Sequence, residues 1–170
     1  VFPGLVYITF PTEFGTVYTA KELDGLYQLC KKYNMPLYVD GARLGYGLTA
    51  TGTDIDLPFL AHHCDVFYIG GTKIGALCGE AVVFTHHNAY EHFFSIQKQH
   101  GAVLAKGRLL GLQFDALFTD NLYFEIARNA NVRAEAMVEV FRKAGYDCYI
   151  DSPTNQQFVI IENKEAERLE

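Results

Sequence analysis

Apolar runs alternate with amphipathic segments along this chain, a pattern typical of α/β proteins. Residues 4–10 and 37–40 are apolar and rich in β-prone side chains, so both predict strands. Between them, residues 20–33 repeat apolar side chains on one helical face, and Thr19 and Glu22 have the spacing of a capping box. The N-terminal part therefore predicts a strand, a helix and a second strand.

The middle of the chain continues this alternation. Residues 45–53 are rich in glycine and threonine, and Asp56 stands where a short helix over 57–63 is expected to begin. Two further strands are predicted over 65–69 and 81–85. The turn between them is too short for a crossover helix, so this pair is expected to be an antiparallel hairpin. A mixed, mainly parallel sheet follows.

The last part of the chain is predicted to be helical at first and to end in short strands. Helices are predicted over 88–99, 102–118 and 122–144. Gly145 is expected to end the third of these helices, and two short strands are predicted after it, over 146–150 and 157–161. The change suggests a large domain over 1–144 and the beginning of a small domain over 145–170.

Composition narrows the class of protein. With 170 residues, of which 49% are hydrophobic and 14% aromatic, the chain can build a core. A net charge of −6 and the lack of a Lys/Arg cluster argue against nucleic acid and anionic membranes, and no apolar stretch approaches the roughly 20 residues of a membrane span. The four cysteines form no C-x-x-C pair, which indicates reduced thiols in a cytoplasmic protein. Small metabolites are the expected ligands.

Candidate chemistry lies at the ends of two predicted strands. Asp40 ends the strand 37–40, and Lys73 follows the strand 65–69 after two glycines. Alone, each residue type in such a place is more typical of an ordinary turn. Together they matter, because the carboxyl ends of neighbouring parallel strands share one edge of a sheet, where ligands bind. There a carboxylate keeps the nitrogen of a pyridine ring protonated, and a lysine forms an imine with an aldehyde. The hydroxyl and amide of Thr72 could hold a phosphate.

Three other kinds of site are disfavoured. A nucleotide-binding P-loop needs Ser or Thr after its lysine, but Ile74 follows Lys73. The adjacent histidines at 62–63 and 86–87 lack a carboxylate at ligand spacing, so no metal site is predicted. No Gly-x-Ser-x-Gly motif is present, so the sequence shows no serine hydrolase nucleophile.

Three segments resemble the threonine aldolase and aromatic amino acid β-eliminating lyase group of fold-type I pyridoxal phosphate enzymes. They are residues 11–18 (PTEFGTVY), residues 37–44 (LYVDGARL) and residues 70–73 (GGTK). The resemblance covers about the first 120 residues well and the rest more weakly. It implies part of a fold-type I large domain, with helices on a mixed, mainly parallel sheet, and the start of a small α+β C-terminal domain.

The resemblance also implies roles for individual residues. Lys73 would be the catalytic lysine that carries pyridoxal 5'-phosphate, and Asp40 would pair with its ring nitrogen. Arg43 would lie near the phenolic oxygen of the cofactor and the carboxylate of the substrate, and Thr72 would help to bind the cofactor. An arginine-bearing turn of the family corresponds to residues 100–108, where Arg108 is the favoured cofactor-binding residue.

Lys106 is the alternative to Arg108 in that turn. In the family, the ring that stacks on the cofactor and most phosphate-binding groups precede the region present here, so the chain is expected to be a fragment. Its expected activity is retro-aldol cleavage of a threonine-like amino acid to glycine and an aldehyde by a cytoplasmic homodimer or homotetramer. β-Elimination, transamination and a non-catalytic role are the alternatives.

Overall fold

A four-stranded sheet forms the centre of the computed structural model, which describes residues 3–169. Its strands, in spatial order, are β1 (Val6–Thr9), β2 (Leu37–Asp40), β3 (Val66–Gly70) and β4 (Glu80–Phe84). The first three run parallel, and β4 pairs with β3 in the antiparallel sense. The predicted mixed, mainly parallel α/β architecture is therefore confirmed.

Seven α-helices accompany the sheet within the described residues. They are α1 (Ala20–Lys32), α2 (Leu44–Leu48), α3 (Leu57–His62), α4 (Phe93–Gln99), α5 (Arg108–Phe118), α6 (Leu122–Lys143) and α7 (Asn163–Leu169). Helix α2 lies where the sequence is rich in glycine. Helix α5 begins six residues later than the pattern predicts, because Gly101 is left-handed, residues 102–104 have no regular structure and residues 105–107 form a turn.

The ends of α1 follow the sequence signals closely. Thr19 Oγ1 accepts a hydrogen bond from the Glu22 amide at 3.2 Å, and the Glu22 carboxylate accepts one from the Thr19 amide at 2.8 Å. Asn34 adopts a left-handed conformation with φ of 51°, and the Met35 amide bonds back to the Cys30 carbonyl at 2.9 Å. This closure satisfies carbonyls of the last turn, so the predicted capping box and helix end are both confirmed.

The two faces of the sheet have different surroundings. Leu37 and Val39 of β2 are completely buried under the helices. Side chains alternate between faces along a strand, so Tyr38 and Asp40 point to the opposite face. That face is open within the described residues, and Tyr7 of β1 keeps 55% of its surface exposed. Asp40 therefore lies on the open face, at the carboxyl edge.

Helix α6 is fastened to this edge by one buried side chain. Tyr123 has no exposed surface, and its hydroxyl accepts a hydrogen bond from the Gly45 amide at 3.2 Å and donates one to the Gly70 carbonyl at 3.1 Å. Burial raises the pKa of this hydroxyl. Tyr123 thus links α6 to both α2 and the end of β3, which fixes the backbone just before Lys73.

The two strands predicted after Gly145 are wrong as extended elements. Only an isolated antiparallel bridge between Cys148 and Val159 forms there. A two-stranded hairpin is marginal without further strands to pair with, and among residues 3–169 this one pairs with no other strand. The segment is instead held to the loop after β1, because Ser152 Oγ donates to the Gly15 carbonyl at 3.1 Å.

Candidate active site

The carboxyl ends of β2 and β3 bring together the two groups singled out by the sequence. Asp40 is the last residue of β2, and Lys73 lies in a 3-10 turn, Thr72–Ile74, that follows β3. The two strands are parallel neighbours, so both groups stand at one edge. Burial is the largest influence on the pKa of Asp40 and raises it, and the positive charge of Lys73 is among the smaller influences that lower it.

Two hydrogen-bond donors contact the Asp40 carboxylate, and Tyr68 of β3 lies beside it. Its Oδ1 accepts a hydrogen bond from the Ala42 amide at 2.9 Å, and its Oδ2 accepts one from the Tyr7 hydroxyl. Burial raises the pKa of Asp40, but hydrogen bonds from the Tyr68 and Tyr7 hydroxyls oppose this effect. The net result is a pKa below the usual value of an aspartic acid. At neutral pH the group is an ionised acceptor, suited to a positively charged N–H.

The turn that carries Lys73 is held from beneath. Ile74 is completely buried, and the Tyr46 hydroxyl of α2 donates a hydrogen bond to the Lys73 carbonyl at 2.5 Å. Gly75 follows with φ of 102°, a conformation that a side chain would strain. The backbone of the turn is therefore fixed while the Lys73 side chain remains exposed.

Arg43 lies at the same edge, at the start of α2. Only 22% of its side-chain surface is exposed, and its guanidinium pairs with Glu13 in the loop after β1 at 3.7 Å. This ion pair links the start of α2 to the loop after β1. Arginine presents a planar fork of donors that suits carboxylates and phosphates.

The Thr72 hydroxyl has a partner within the chain. It donates a hydrogen bond to Glu80 Oε1 at 3.2 Å, and the Gly71 amide donates one to Glu80 Oε2 at 2.6 Å. Glu80 is the first residue of β4 and the register partner of Gly70. The phosphate-binding role of Thr72 stays a prediction, and it would require the hydroxyl to exchange or share this carboxylate partner.

Arg108 is the first residue of α5, and its side chain is exposed. None of the hydrogen bonds or ion pairs found within residues 3–169 connects it to Asp40, Arg43 or Lys73. Its role in cofactor binding stays a prediction from the family resemblance.

Four residues of the site were missed by sequence reasoning. They are Tyr7, Tyr46, Tyr68 and Glu80. Tyr68 was open to prediction, because it alternates with the buried Phe67 and Ile69 and therefore shares a face with Asp40. The contact between Tyr7 and Asp40 depends on the register of β1 against β2, which the sequence does not specify.

The site is open rather than enclosed. A groove of about 650 Å³ lies elsewhere, between α6 and the segment 151–157, and neither Asp40 nor Lys73 lines it. No group of three or more His, Cys, Asp or Glu side chains in the part of the chain that the structure describes could hold a metal ion. Among these same residues, no helix has both the length and the apolar composition needed to cross a membrane.

An ionised carboxylate, a lysine amine and a guanidinium at the carboxyl edge of a mainly parallel sheet define an α/β protein of the fold-type I class. The donor set fits pyridoxal phosphate, because a protonated ring nitrogen needs the carboxylate and the aldehyde carbon needs the amine. The sequence model of the family described as "Beta-eliminating lyase" matches residues 3–164. The chain belongs to this family, whose members use pyridoxal phosphate.

Comparison with individual proteins agrees with this assignment. A low specificity L-threonine aldolase of Pseudomonas aeruginosa is 33% identical over 139 residues, which are 81% of this chain and 40% of that protein. The enzyme of the same description from another Pseudomonas strain is 35% identical over 136 residues, 79% of this chain and 39% of its own length.

A solved structure of a threonine aldolase from Leishmania major superposes with a TM-score of 0.93 at 39% identity. The match covers 99% of this chain and 49% of the Leishmania chain. The chain thus spans about 40% of the length of its curated relatives.

Proposed function

We propose that the intact protein is a pyridoxal phosphate-dependent carbon–carbon lyase that cleaves a threonine-like β-hydroxy amino acid to glycine and an aldehyde. The observation that carries this proposal is the meeting of the ionised Asp40 carboxylate and the Lys73 amine at one sheet edge. The relatives named as threonine aldolases supply the choice of substrate. The proposal concerns the whole protein, because the chain spans less than half of these relatives.

Each residue of the site has a distinct role in this proposal. Bound pyridoxal phosphate supplies an electron sink for the charge that develops at Cα of the amino acid. Asp40 would accept a hydrogen bond from the protonated ring nitrogen, and Lys73 would provide the amine that holds the aldehyde carbon. Arg43 would lie near the phenolic oxygen of the cofactor and the carboxylate of the substrate, while Thr72 and Arg108 would contribute to cofactor binding.

The overall reaction balances without a further reactant. The β-hydroxyl of the substrate loses its proton as the aldehyde C=O forms, and the Cα–Cβ bond breaks. A proton returns to Cα, so that threonine gives glycine and acetaldehyde. The orientation of the carboxylate by Arg43 would help to align the bond that breaks.

β-Elimination is the second candidate, favoured by the description of the matching family. It would use the same Asp40 and Lys73 but expel a group from Cβ instead of breaking the Cα–Cβ bond. Product analysis separates the two reactions, because only the lyase proposed here releases glycine from threonine.

Lys73→Ala tests the proposed function. In the full-length protein with pyridoxal phosphate, we expect this change to abolish the visible absorbance of bound cofactor and its trapping by borohydride. Glycine formation from threonine should fall by roughly 100-fold or more, the range for loss of a catalytic group. Lys21→Ala, on the exposed surface of α1, is the control and should retain both properties. A parent protein that binds cofactor yet releases no glycine from threonine would refute the lyase assignment.

The assembly and domain assignments are also proposals. We propose a homodimer or homotetramer, as the resemblance to the threonine aldolase and β-eliminating lyase group implies. Sedimentation of the full-length protein tests the proposed assembly, and a monomer would contradict it.

The domain boundary at residue 145 is supported by the left-handed Gly145 that ends α6. Four unpaired cysteines, including the exposed Cys78, support a reducing cytoplasmic location.

A further inference from the structure

Two tyrosine rings form a stack on the open sheet face beside the site. Tyr7 of β1 and Tyr38 of β2 are register partners, and their rings lie 5.4 Å apart between centroids with an angle of 6° between planes. Thr9 is the register partner of Asp40. The Tyr7 side chain therefore extends toward the carboxyl end of β2, past its register partner Tyr38. There its hydroxyl donates a hydrogen bond to Asp40 Oδ2.

A third tyrosine approaches the same carboxylate from the other side. Tyr38 pairs with Val66, and this register sets Tyr68 of β3 beside Asp40. The Tyr68 ring lies 6.4 Å from the Tyr38 ring, and its hydroxyl, on the same face as Asp40, lowers the pKa of that carboxyl. Asp40 is thus flanked by one tyrosine from each neighbouring strand.

These contacts leave the carboxylate with little freedom. An ionised carboxylate offers about four lone-pair positions. The Ala42 amide occupies one on Oδ1 and the Tyr7 hydroxyl occupies one on Oδ2, while the register of β3 sets Tyr68 on the other side of the carboxylate. Rotation of the Asp40 carboxylate would break these bonds. The lone-pair positions that remain unoccupied therefore point in a fixed direction.

We propose that Tyr7 and Tyr68 are positioning residues, whose hydroxyls hold the Asp40 carboxylate in the orientation that receives the ring nitrogen of the cofactor. The inference rests on the proposed function only for the identity of the ring. Tyr38 does not share this role, because among the described residues its hydroxyl neither bonds to Asp40 nor is one of the groups that lower the pKa of Asp40. The Tyr38 ring stacks on the Tyr7 ring, so removal of the Tyr38 hydroxyl is a matched control.

Tyr7→Phe, Tyr68→Phe and Tyr38→Phe test the proposal in the full-length protein, since each keeps the ring and removes one hydroxyl. The first measurement is the pH titration of the Asp40 carboxyl carbon by NMR in protein free of cofactor. Loss of a donor to the ionised form raises the titration midpoint. We expect Tyr7→Phe and Tyr68→Phe to raise it by about one pH unit each, a roughly tenfold gain in proton affinity.

The second measurement is the acid limit of cofactor binding, followed by the visible absorbance of bound pyridoxal phosphate as the pH is lowered. We expect this limit to move upward in the same two variants, because Asp40 becomes protonated earlier. Tyr38→Phe should match the parent in both titrations. The ionisable groups that face Asp40 or its tyrosine partners are Tyr7, Glu13, Tyr38, Tyr68, Lys73 and Glu80.

Unchanged Asp40 midpoints in both Tyr7→Phe and Tyr68→Phe would overturn the proposal, and so would an equal shift in Tyr38→Phe. The NMR titration gives its answer whether or not the protein binds cofactor. Failure of the parent to release glycine from threonine would instead count against the proposed function and leave the assignment of Tyr7 and Tyr68 unaffected.

Discussion

Gly70 shows how closely the backbone is packed behind the site. The Gly70 amide bonds to the Gly41 carbonyl at 2.9 Å, and a Cβ at Gly70 would collide with the backbone of Ala42. A glycine at the end of a strand often marks a place where a ligand or another backbone segment approaches closely. The structure shows that the approaching group is the turn after β2. Close approach was predictable from the residue type, whereas its partner depends on tertiary packing.

Gly70→Ala is therefore expected to destabilise the protein by roughly 2–3 kcal/mol, in the upper part of the range for overpacking, because backbone cannot move aside as a side chain can. Urea denaturation of the full-length protein measures the effect. Gly25→Ala is the matched control, because Gly25 lies inside α1 with open space around its Cβ position. That change should stabilise by about 0.5–1 kcal/mol. Equal effects of the two changes would contradict the steric account.

Tyr7 is expected to titrate abnormally. Its hydrogen bond to Asp40 is the main cause that raises its pKa from 10.0 to about 12. Because the folded pKa is raised, the stabilising contribution is complete below pH 10 and is lost as the pH rises through about 12. At pH 11 only roughly a tenth of Tyr7 should be ionised. The parent and Tyr7→Phe should then show nearly equal tyrosinate absorbance, and an excess of one full tyrosinate in the parent would contradict the assignment.

Among the elements, the docking of α1 against the sheet depends on a buried carboxylate. Asp65 precedes β3 and keeps only 7% of its surface exposed. Its Oδ1 accepts a hydrogen bond from Lys31 of α1 at 2.6 Å, and its Oδ2 accepts one from the Leu37 amide of β2 at 2.9 Å. One side chain thus joins α1, β2 and the start of β3.

Asp65→Ala is expected to lower the free energy of unfolding by roughly 2–4 kcal/mol, because it leaves the buried Leu37 amide without its acceptor and Lys31 without its partner. Denaturation of the full-length protein measures the loss. Asp151→Ala removes another carboxylate from an ion pair, with Arg142 at 2.7 Å, but Asp151 is 90% exposed. This control should change stability by less than about 1 kcal/mol. A similar loss in both variants would show that burial of Asp65 is not the cause.

Helix α2 marks the limit of prediction from local sequence. Glycine is a poor helix former, so Gly45 and Gly47 hide the helix from a propensity argument. A Cβ at Gly45 would meet Ile74 and Tyr123, so the small residue is required where α6 and the lysine turn close over α2. Tertiary contacts outweigh local preference here. By contrast, Gly145 ends α6 as predicted, because the left-handed cap is a local property of the chain.

At the scale of the whole molecule, the sequence predicts which residues lie at the carboxyl edge of the sheet. It does not predict which side chains surround Asp40 on the open face. Alternating elements in the sequence are enough to place Asp40 and Lys73 at one edge, because parallel neighbours share their carboxyl ends. The flanking of Asp40 by Tyr7 and Tyr68 depends on the register of three strands. Each register is set by packing of the buried face, including the fully buried Leu37, rather than by any motif.

The open face has a consequence for cofactor affinity. Parallel sheets are usually covered on both faces, and small-molecule sites bury most of their ligand. Residues 3–169 leave Lys73 and the Tyr7 side of the sheet exposed, so they provide one wall of such a site. We expect the 170-residue chain to bind pyridoxal phosphate at least roughly 100-fold more weakly than the full-length protein, a difference of about 2.7 kcal/mol. Equilibrium dialysis of both proteins, each with its Lys73→Ala variant as control, measures the ratio. If the two proteins bind pyridoxal phosphate with equal affinity, and if Lys73→Ala weakens binding in both, the 170 residues already form the complete binding site.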